Sequence, residues 1–259
     1  MRKTPQRRRQ WDPKYGAEQY DAVSNPDGTY TLGAVRNFTY SQSREASETW
    51  VPSVVVRPKD VVRAWLLLEP FTSWNAIAHP YFIFEYSDGS TLCVTIEGKR
   101  LAGETYSGLK GMSKDYELGY VWMTERDTLT MPLTHGGKAL YLYPLTLSPD
   151  SSAKLMHGFL YDTHKLFQTP EFYHTVFNNC TVHFARILRR EQIHRAPFDL
   201  SWYLPGWIDR YLARLGLIDV SRPLRTPARD LVARQDEVWE IIQNHPDRAL
   251  SEVFQIIKP

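Results

Sequence analysis

The sequence predicts an α+β fold in which an antiparallel sheet packs against helices. Strand patterns joined by short turns dominate the chain up to residue 147, and helical patterns with clear start signals follow from residue 148. With 259 residues, of which 42% are hydrophobic and 23% charged, the chain has the composition of a globular protein and is long enough to bury a large core. A net charge of only +2 argues against a nucleic-acid partner.

Residues 1–29 form a polar segment with basic residues at its start. Arg2, Lys3 and the run Arg7-Arg8-Arg9 precede any acid, and turn formers follow at residues 25–28. Two interpretations remain open, a solvated tail and a juxtamembrane segment that lies against anionic lipid head groups. No stretch approaches the roughly 20 apolar residues that a membrane span requires, and no signal peptide is evident. Residues 30–259 are predicted to form one domain with a C-terminal helical extension.

The first strands are predicted at Thr31–Tyr40 and Val61–Leu68, and the next two form a hairpin. The hairpin strands, 79–86 and 90–97, flank the three-residue loop 87–89, which ends in a glycine suited to a left-handed backbone. Centring the register on Asp88 puts every apolar side chain of one face together, whereas a slip by one residue would mix polar and apolar sides. In this register His79 lies opposite Glu97, so the two are predicted neighbours.

The remaining elements are predicted from strand runs and helix caps. A loop at 98–112 is followed by strands at 118–124 and 138–147. Ser148 and Pro149 then open a helix that runs to about Phe167. Further helices are expected at 180–188, 200–215, 228–243 and 246–257.

Cys180 is the leading candidate for a nucleophile. Asn178 and Asn179 precede it, and asparagine is a favoured N-cap, so Cys180 is expected in the first turn of a helix. The partial positive charge at a helix N-terminus favours a thiolate and would lower the pKa of the thiol. An apolar stripe at helical spacing directs the sulfur into the fold. The alternative is a cysteine that serves only as a small core hydrophobe.

A thiolate nucleophile needs a base, and the base needs a group that holds its orientation. His79 and Glu97 are assigned these roles, provided that the Cys180 helix packs over the polar end of the hairpin. His183 and His174 are rival bases, although each is more typical of a packing or surface residue. Oxyanion donors are expected from the amide of Cys180 and from Asn178, Asn179 or Tyr106.

The second cysteine tests this hypothesis, because a disulfide would remove the nucleophile. Cys93 should lie roughly 13 Å along the strand from the His79 site, at about 3.3 Å per residue. A disulfide needs Cα atoms closer than about 7 Å, so both thiols are expected to be free. No spacing typical of a metal site and no phosphate-binding loop is present, and no cofactor is expected.

A further set of polar residues is expected either to contact substrate or to form a structural cluster. Alternating charges in Glu125-Arg126-Asp127 are more typical of an ion-pair cluster that fixes a loop than of catalytic groups. Ser107, next to Tyr106 in the loop at 98–112, completes this set.

An ordered series of motifs resembles the Lnb N-terminal periplasmic domain family. The motifs are Val35-Arg36-Asn37-Phe38-x-Tyr40, Ala78-His79-Pro80-Tyr81-Phe82-x-Phe84-Glu85-x-x-Asp88-Gly89, Ile96-Glu97, Gly103-Glu104-x-Tyr106-Ser107, Tyr116-Glu117-Leu118-x-Tyr120-Val121, Glu125-Arg126-Asp127 and Phe172-Tyr173-His174-Thr175-x-x-Asn178-Asn179-Cys180-Thr181. The resemblance covers about residues 30–220. It implies a circularly permuted, papain-like domain of the NlpC superfamily, with Cys180 as nucleophile, His79 as base and Glu97 as third member.

The resemblance also implies a function. It points to a thiol enzyme of the bacterial envelope that acts on lipid or lipoprotein acyl groups through a Cys180 thioester, in the manner of a lipoprotein N-acyltransferase. The expected location is the periplasm, at a membrane surface, since relatives usually carry transmembrane helices before this domain, which this chain lacks. The alternatives are a peptidase or amidase acting on cell-wall peptides and a binding module with an idle thiol.

Overall fold

A computed structural model describes residues 4–5, 10–15, 21–40, 46–70, 77–134 and 140–218. Within this part, an eight-stranded sheet is covered by helices, which confirms the predicted α+β class. The sheet strands are β1 (Ala22–Ser24), β2 (Tyr30–Arg36), β5 (Trp50–Val56), β6 (Val61–Pro70), β7 (Ala78–Tyr86), β8 (Thr91–Lys99), β9 (Glu117–Met123) and β10 (Tyr141–Pro144). A separate two-stranded ribbon joins β3 (Thr39–Tyr40) to β4 (Ala46–Ser47).

The strand order is β1-β2-β9-β8-β7-β6-β10, and β5 also pairs with β2. The sheet was predicted to be antiparallel, and each pairing follows that prediction except β2 with β9, which is parallel and rests on the pair Arg36 and Met123. This contact brings together the ends of two strands that are far apart in sequence. Such a crossover is not encoded by any local turn, and for this reason the sequence did not reveal it.

The central hairpin has the predicted register. Tyr81 pairs with Thr95 and Ile83 with Cys93, and Gly89 adopts the left-handed backbone with φ +84°. Even-numbered side chains such as Phe82 and Val94 lie in one buried cluster, the helix-side core. Odd-numbered side chains such as Tyr81 and Cys93 lie in a second one, the opposite-side core.

Four helices lie within the described part. They are α1 (Glu125–Thr134), α2 (Pro149–Gln168), α3 (Cys180–Arg190) and α4 (Ile208–Arg214). The Ser148 hydroxyl caps α2 by accepting from the Ser151 amide at 3.1 Å, as predicted. Phe82 on β7 contacts the rings of Phe159 on α2 and Phe184 on α3, with centroids 4.9 and 4.5 Å away, so both helices pack on the helix-side core.

The C-terminal region differs from the predicted helix at 200–215. Two 3-10 turns, Leu200–Trp202 and Pro205–Trp207, precede α4, which begins only at Ile208. Pro205 has no amide hydrogen to continue an α-helical ladder, and this explains the interruption. Gly216 follows α4 with φ +70°, as a glycine at a helix end often does. The helices predicted at 228–243 and 246–257 lie outside the described residues.

Two described parts of the N-terminal segment, residues 10–15 and β1, pack on the fold. Residues 10–15 run beside the end of β8, where the Asp12 amide donates to the Arg100 carbonyl at 3.0 Å. Trp11 and Tyr15 are buried in the opposite-side core, and β1 extends the sheet. Two aromatic rings bury enough apolar surface to hold a short segment against the fold, although its neighbours in sequence are charged.

Two members of the predicted charge cluster, Glu125 and Asp127, make buried contacts that join elements of the fold. Asp127, in the first turn of α1, accepts two hydrogen bonds of 2.8 Å from the Arg36 guanidinium and one of 2.9 Å from the Phe38 amide. Both charged side chains are almost fully buried. Glu125 is also buried, and its Oε2 atom accepts from the Thr91 hydroxyl at 2.9 Å. These residues connect α1 to β2 and β8, which is the role that the alternating charges indicated.

Glu125 gives a prediction about stability and pH. Burial raises the pKa of its carboxyl well above the ordinary value, and the nearby Glu85 adds to the effect. Because the folded pKa lies above the unfolded one, the carboxyl stabilises the fold below its ordinary pKa of about 4.3, and this contribution is lost as pH rises through the folded pKa. We expect Glu125→Gln to remove this dependence. When the free energy of unfolding is measured in urea, that of the wild type should fall by about 1.4 kcal/mol for each unit of rising pH, relative to that of the variant.

The two proteins should have nearly equal stability near pH 4, which provides an internal control for the amide substitution. A difference between them that stays constant from pH 4 to pH 8 would contradict the assignment.

Candidate active site

The N-terminus of α3 holds Cys180 as the sequence predicted. Asn179 is the N-cap, and its Oδ1 atom accepts from the Val182 amide at 3.0 Å. Its amide nitrogen donates to the carbonyls of Thr175 and Trp202, both at 2.7 Å. The cap residue is fully buried and therefore fixes the start of the helix, and with it the position of Cys180, against two other segments.

The expected low pKa of the Cys180 thiol is not found. The residue is only 5% exposed. Burial raises its pKa to about 12, although the neighbouring Thr181 favours the thiolate. The negative charge of Glu97 adds to the increase. Desolvation outweighs the helix N-terminus here, so the resting sulfur is a neutral thiol that needs a base to become a nucleophile.

His79 and Glu97 are neighbours, as the hairpin register predicted. His79 Nε2 lies 3.0 Å from Glu97 Oε1, and the two side chains are 17% and 18% exposed. Burial disfavours the charged form of Glu97, but His79 first, and then Lys14 and Arg100, outweigh it and lower the pKa of this carboxyl to about 2. Glu97 is therefore a carboxylate that can orient the imidazole, which is the role predicted for it.

The hydrogen bonds around His79 indicate its tautomer. Thr95 Oγ1 lies 2.7 Å from His79 Nε2, and this hydroxyl donates its hydrogen to the Pro80 carbonyl at 3.0 Å. Thr95 and Glu97 therefore both act as acceptors, and the hydrogen of the neutral ring must be on Nε2. This leaves Nδ1 as the basic nitrogen of the ring.

The structure does not bring Cys180 and His79 into direct contact. Cys180 belongs to the helix-side core, whereas His79 packs edge-on against Tyr81 on the other face of the sheet, with ring centroids 4.6 Å apart. No hydrogen bond joins these two described side chains. Of the three predicted partners, His79 and Glu97 touch, and Glu97 acts on Cys180 only through its charge.

The end of β8 separates the sulfur from the imidazole. Gly98 follows Glu97 there, and a Cβ atom at this glycine would lie 3.2 Å from the Tyr173 ring. Burial first, and then the charges of Cys180 and Glu97, raise the pKa of Tyr173, so this ring lies within the electrostatic reach of both. The absence of a side chain at Gly98 lets the segment that leads to Cys180 approach the strand closely.

Tyr106, predicted as a site residue, lies within the electrostatic reach of Cys180. Burial raises the pKa of its hydroxyl, hydrogen bonds with the side chains of Tyr173 and Thr175 lower it, and the charge of Cys180 raises it further, so that the net direction is upward. Its ring stacks on Tyr116 with a centroid separation of 5.6 Å. Sequence reasoning did not single out Tyr173, although it falls within the motif that leads to Cys180.

Asn178 and Asn179, predicted as candidate oxyanion donors, have side-chain amides that donate to other groups of the protein. The amide of Asn178 donates to the Phe172 carbonyl at 2.8 Å and to Glu171 at 3.4 Å, and the amide of Asn179 is used by the two carbonyls described above. Both residues hold the loop before α3 in place. An asparagine that precedes a helix can serve equally as a cap or as a donor to substrate, and sequence alone does not distinguish the two.

The rival bases are occupied by structural contacts. His183 Nε2 lies 2.9 Å from Asn178 Oδ1, and its Nδ1 lies 2.8 Å from the Tyr120 hydroxyl. Burial lowers the pKa of His183 to about 3, so it stays neutral. His174 Nδ1 accepts from the amides of Val176 and Phe177 at 3.1 and 3.2 Å. Both nitrogens of His183 and the Nδ1 atom of His174 are therefore engaged in contacts with residues other than Cys180.

The other predicted residues lie apart from the thiol or support it indirectly. Cys93 is buried in the opposite-side core, and both cysteines are free, as predicted. The Ser107 amide donates to the Tyr116 hydroxyl at 2.8 Å and so helps to fix the turn that carries Tyr106. Within the described residues, no group of three or more His, Cys, Asp or Glu is placed to hold a metal ion. No helix in this part is long and apolar enough to cross a membrane.

Comparison with known proteins identifies one family. Residues 47–205, more than half of the chain, match the Lnb N-terminal periplasmic domain. The match includes the hairpin with His79 and Glu97, the Tyr106 turn and the Cys180 helix, and it excludes residues 10–15, β1 and β2. No curated protein and no solved structure matches the chain. The family description supports a location in the periplasm, and the chain belongs to the Lnb N-terminal periplasmic domain family.

Proposed function

We propose that this protein is a cysteine-dependent acyltransferase or acyl hydrolase of the bacterial envelope, with Cys180 as the nucleophile. One observation carries the proposal. A thiol in the capped first turn of a helix lies within the electrostatic reach of the Tyr106 hydroxyl and of Glu97, a carboxylate that contacts His79. A nucleophile, a base and a group that orients the base are the parts that thiol-dependent acyl transfer requires.

The proposed reaction begins with proton transfer from the Cys180 thiol to His79 Nδ1. The sulfur attacks the carbonyl carbon of an acyl ester and forms a tetrahedral oxyanion, which accepts hydrogen bonds from the Cys180 amide and the Tyr106 hydroxyl. The carbon–oxygen bond then breaks, the departing alcohol takes the proton from His79, and a Cys180 thioester remains. An amine or water attacks the thioester carbonyl and gives a proton to His79. The carbon–sulfur bond then breaks, the amide or free acid departs, and the Cys180 sulfur takes the proton back from His79.

This reaction requires Cys180 and His79 to approach each other when substrate binds. Catalytic hydrogen bonds are often long or poorly aligned in free enzymes and tighten in the substrate complex. Gly98 and the partly exposed pair of His79 and Glu97 make the end of β8 the place where such an approach would occur. A strand-borne histidine that precedes a helix-borne cysteine also favours a permuted, papain-like relation to the NlpC superfamily.

The second candidate function is a binding module with an idle thiol. The observation that favours it is the combination of a thiol pKa of about 12 with the absence of a bond from Cys180 to His79 within the described structure. A buried cysteine without an adjacent base is unreactive. A peptidase or amidase would use the same nucleophile on a peptide carbonyl, so the choice of substrate distinguishes it from an acyltransferase.

The experiment is mass spectrometry of the intact protein after incubation with a phospholipid of defined acyl chains or with muropeptides. We expect the phospholipid to add one acyl chain to Cys180, with the adduct removed by hydroxylamine as thioesters are. Cys180→Ser should lose this adduct, whereas Cys93→Ser is the matched control and should retain it. An adduct formed only from muropeptides would support the peptidase, and no adduct from either would favour the binding module.

A further inference from the structure

Five apolar side chains project into solvent from loops around the N-terminus of α3. These residues, here called the apolar rim, are Leu109, Met112, Phe177, Phe198 and Leu200, with exposures of 75%, 45%, 63%, 61% and 65%. Single exposed apolar residues are common on protein surfaces, but several in one region indicate an interaction site.

The loops that carry the apolar rim are bonded to one another. The Thr175 amide donates to the Gly111 carbonyl at 3.1 Å, and the Asn179 side chain links Thr175 to Trp202. The ring of Tyr203 contacts both Phe177 and Phe198, with centroids 6.2 and 5.5 Å away. The rim is therefore one surface built on a fixed base, and Cys180 starts the helix at that base.

Cations lie beside the apolar side chains. Arg186 donates to the Phe177 carbonyl at 3.3 Å, and its other bond is to the neutral Asn178 Oδ1 at 2.9 Å, so its charge is not neutralised by these contacts. Leu200 shares a surface cavity of about 290 Å³ with Arg210 and Arg214. Lys110 follows Leu109, and the exposed Arg195 precedes Phe198 by three residues.

Acidic residues compensate only part of this charge. Asp199 pairs with Arg214, and Glu104 lies 3.4 Å from Lys110. Arg186, Arg195 and Arg210 form no ion pair within the described residues. The surface thus combines apolar side chains that project outward with an excess of positive charge.

We propose that the apolar rim binds the surface of an anionic phospholipid bilayer. Leucine and phenylalanine side chains would enter the boundary between head groups and acyl chains, while the arginines contact the lipid phosphates. A site that binds another protein would be expected to have a flat or concave apolar surface, whereas the apolar side chains of the rim project from separate loops. The inference concerns binding alone and does not depend on the chemistry proposed for Cys180.

The test is flotation of the Cys180→Ser protein with vesicles, so that no acyl transfer can contribute. Vesicles of phosphatidylglycerol mixed with phosphatidylcholine are compared with vesicles of phosphatidylcholine alone. We expect binding to the mixed vesicles that weakens as salt rises. Leu109→Ser, Phe177→Ser and Leu200→Ser should each reduce the partition coefficient roughly tenfold, and Arg195→Gln should reduce it about fivefold.

Val55→Ser is the matched control, because Val55 is 66% exposed on β5 outside the rim. It should bind as wild type does, and thermal melting confirms that each variant is folded. The proposal is overturned by a folded protein that floats with neither kind of vesicle, or by a Val55→Ser variant that loses as much binding as the rim variants. Elution as a dimer that Phe177→Ser converts to a monomer would also overturn it, since a second copy would then occupy the rim.

Discussion

Replacing His79 by alanine is expected to slow formation of the Cys180 thioester by about 10²- to 10⁴-fold, the usual contribution of a general base. The reason is the state of the thiol, whose pKa burial raises to about 12, so that very little thiolate exists near neutral pH without a base. The measurement is the rate of acyl addition to the intact protein between pH 6 and pH 10. In the variant this rate should rise about tenfold per pH unit, because only free thiolate reacts.

The control for this variant is His157→Ala. His157 Nδ1 also contacts a carboxylate, Glu191 Oε2 at 3.0 Å, but the pair lies between α2 and the end of α3, far along that helix from Cys180. This substitution removes a similar contact between a histidine and a carboxylate and should leave the acylation rate unchanged. Equal rates for wild type and His79→Ala would show that His79 is not the base, even if a Cys180 thioester forms.

Replacing Asp127 by alanine is expected to lower the free energy of unfolding by about 3–5 kcal/mol, the cost of leaving a buried charge without its partner. Arg36 and Asp127 are 2% and 0% exposed, and the lost carboxylate is also the acceptor for the Phe38 amide. Water cannot replace these contacts without opening the joint between α1 and β2. Urea unfolding followed by circular dichroism measures the change.

Two further variants distinguish the stability cost of breaking the buried Arg36–Asp127 pair from the cost of removing an exposed charge. Asp199→Ala breaks the ion pair with Arg214, which is 56% exposed, and removes the acceptor for the Ser201 amide, and it should cost no more than about 2 kcal/mol. The double variant Arg36→Met with Asp127→Leu removes both charges and should be more stable than Asp127→Ala alone. If Asp127→Ala costs as little as Asp199→Ala, the pair does not hold α1 to the sheet.

The proposed reaction requires the Cys180 sulfur and the His79 imidazole, which belong to opposite sides of the sheet, to come together. Both lie near the end of β8, where Gly98 offers no side chain and Tyr173 packs directly on the strand. Residues 10–15 cover the His79 side of this region, and Lys14 is close enough to contribute to the low pKa of Glu97. These residues precede the part of the chain that matches the family.

Local sequence patterns were sufficient to predict the hairpin and the helix start that carry the candidate site. The alternation of side chains around Asp88 determined the hairpin register and the contact of His79 with Glu97, because a slip by one residue would reverse both faces. The asparagine before Cys180 determined the start of α3, because its side chain caps a free amide in the first turn. Both rules depend on neighbours in sequence or across a short turn.

Other properties depend on segments that are distant in sequence. The side-chain amide of Asn179 donates to the carbonyls of Thr175 and Trp202, and Trp202 lies 23 residues further along the chain. Residues 10–15 are fixed by partners near Arg100 and by aromatic burial, which their polar neighbours concealed. The parallel contact of β2 with β9 joins residues 36 and 123.

The sequence by itself determined the α+β class, the family, the hairpin register and the place of Cys180 in the first turn of a helix. Tertiary structure alone decided the protonation state of that thiol and the sheet face on which its helix packs. The reason is physical: side-chain periodicity and capping are local, whereas desolvation and the packing of helix on sheet depend on everything that surrounds a group. A helix N-terminus favours the thiolate, but burial of Cys180 outweighs it.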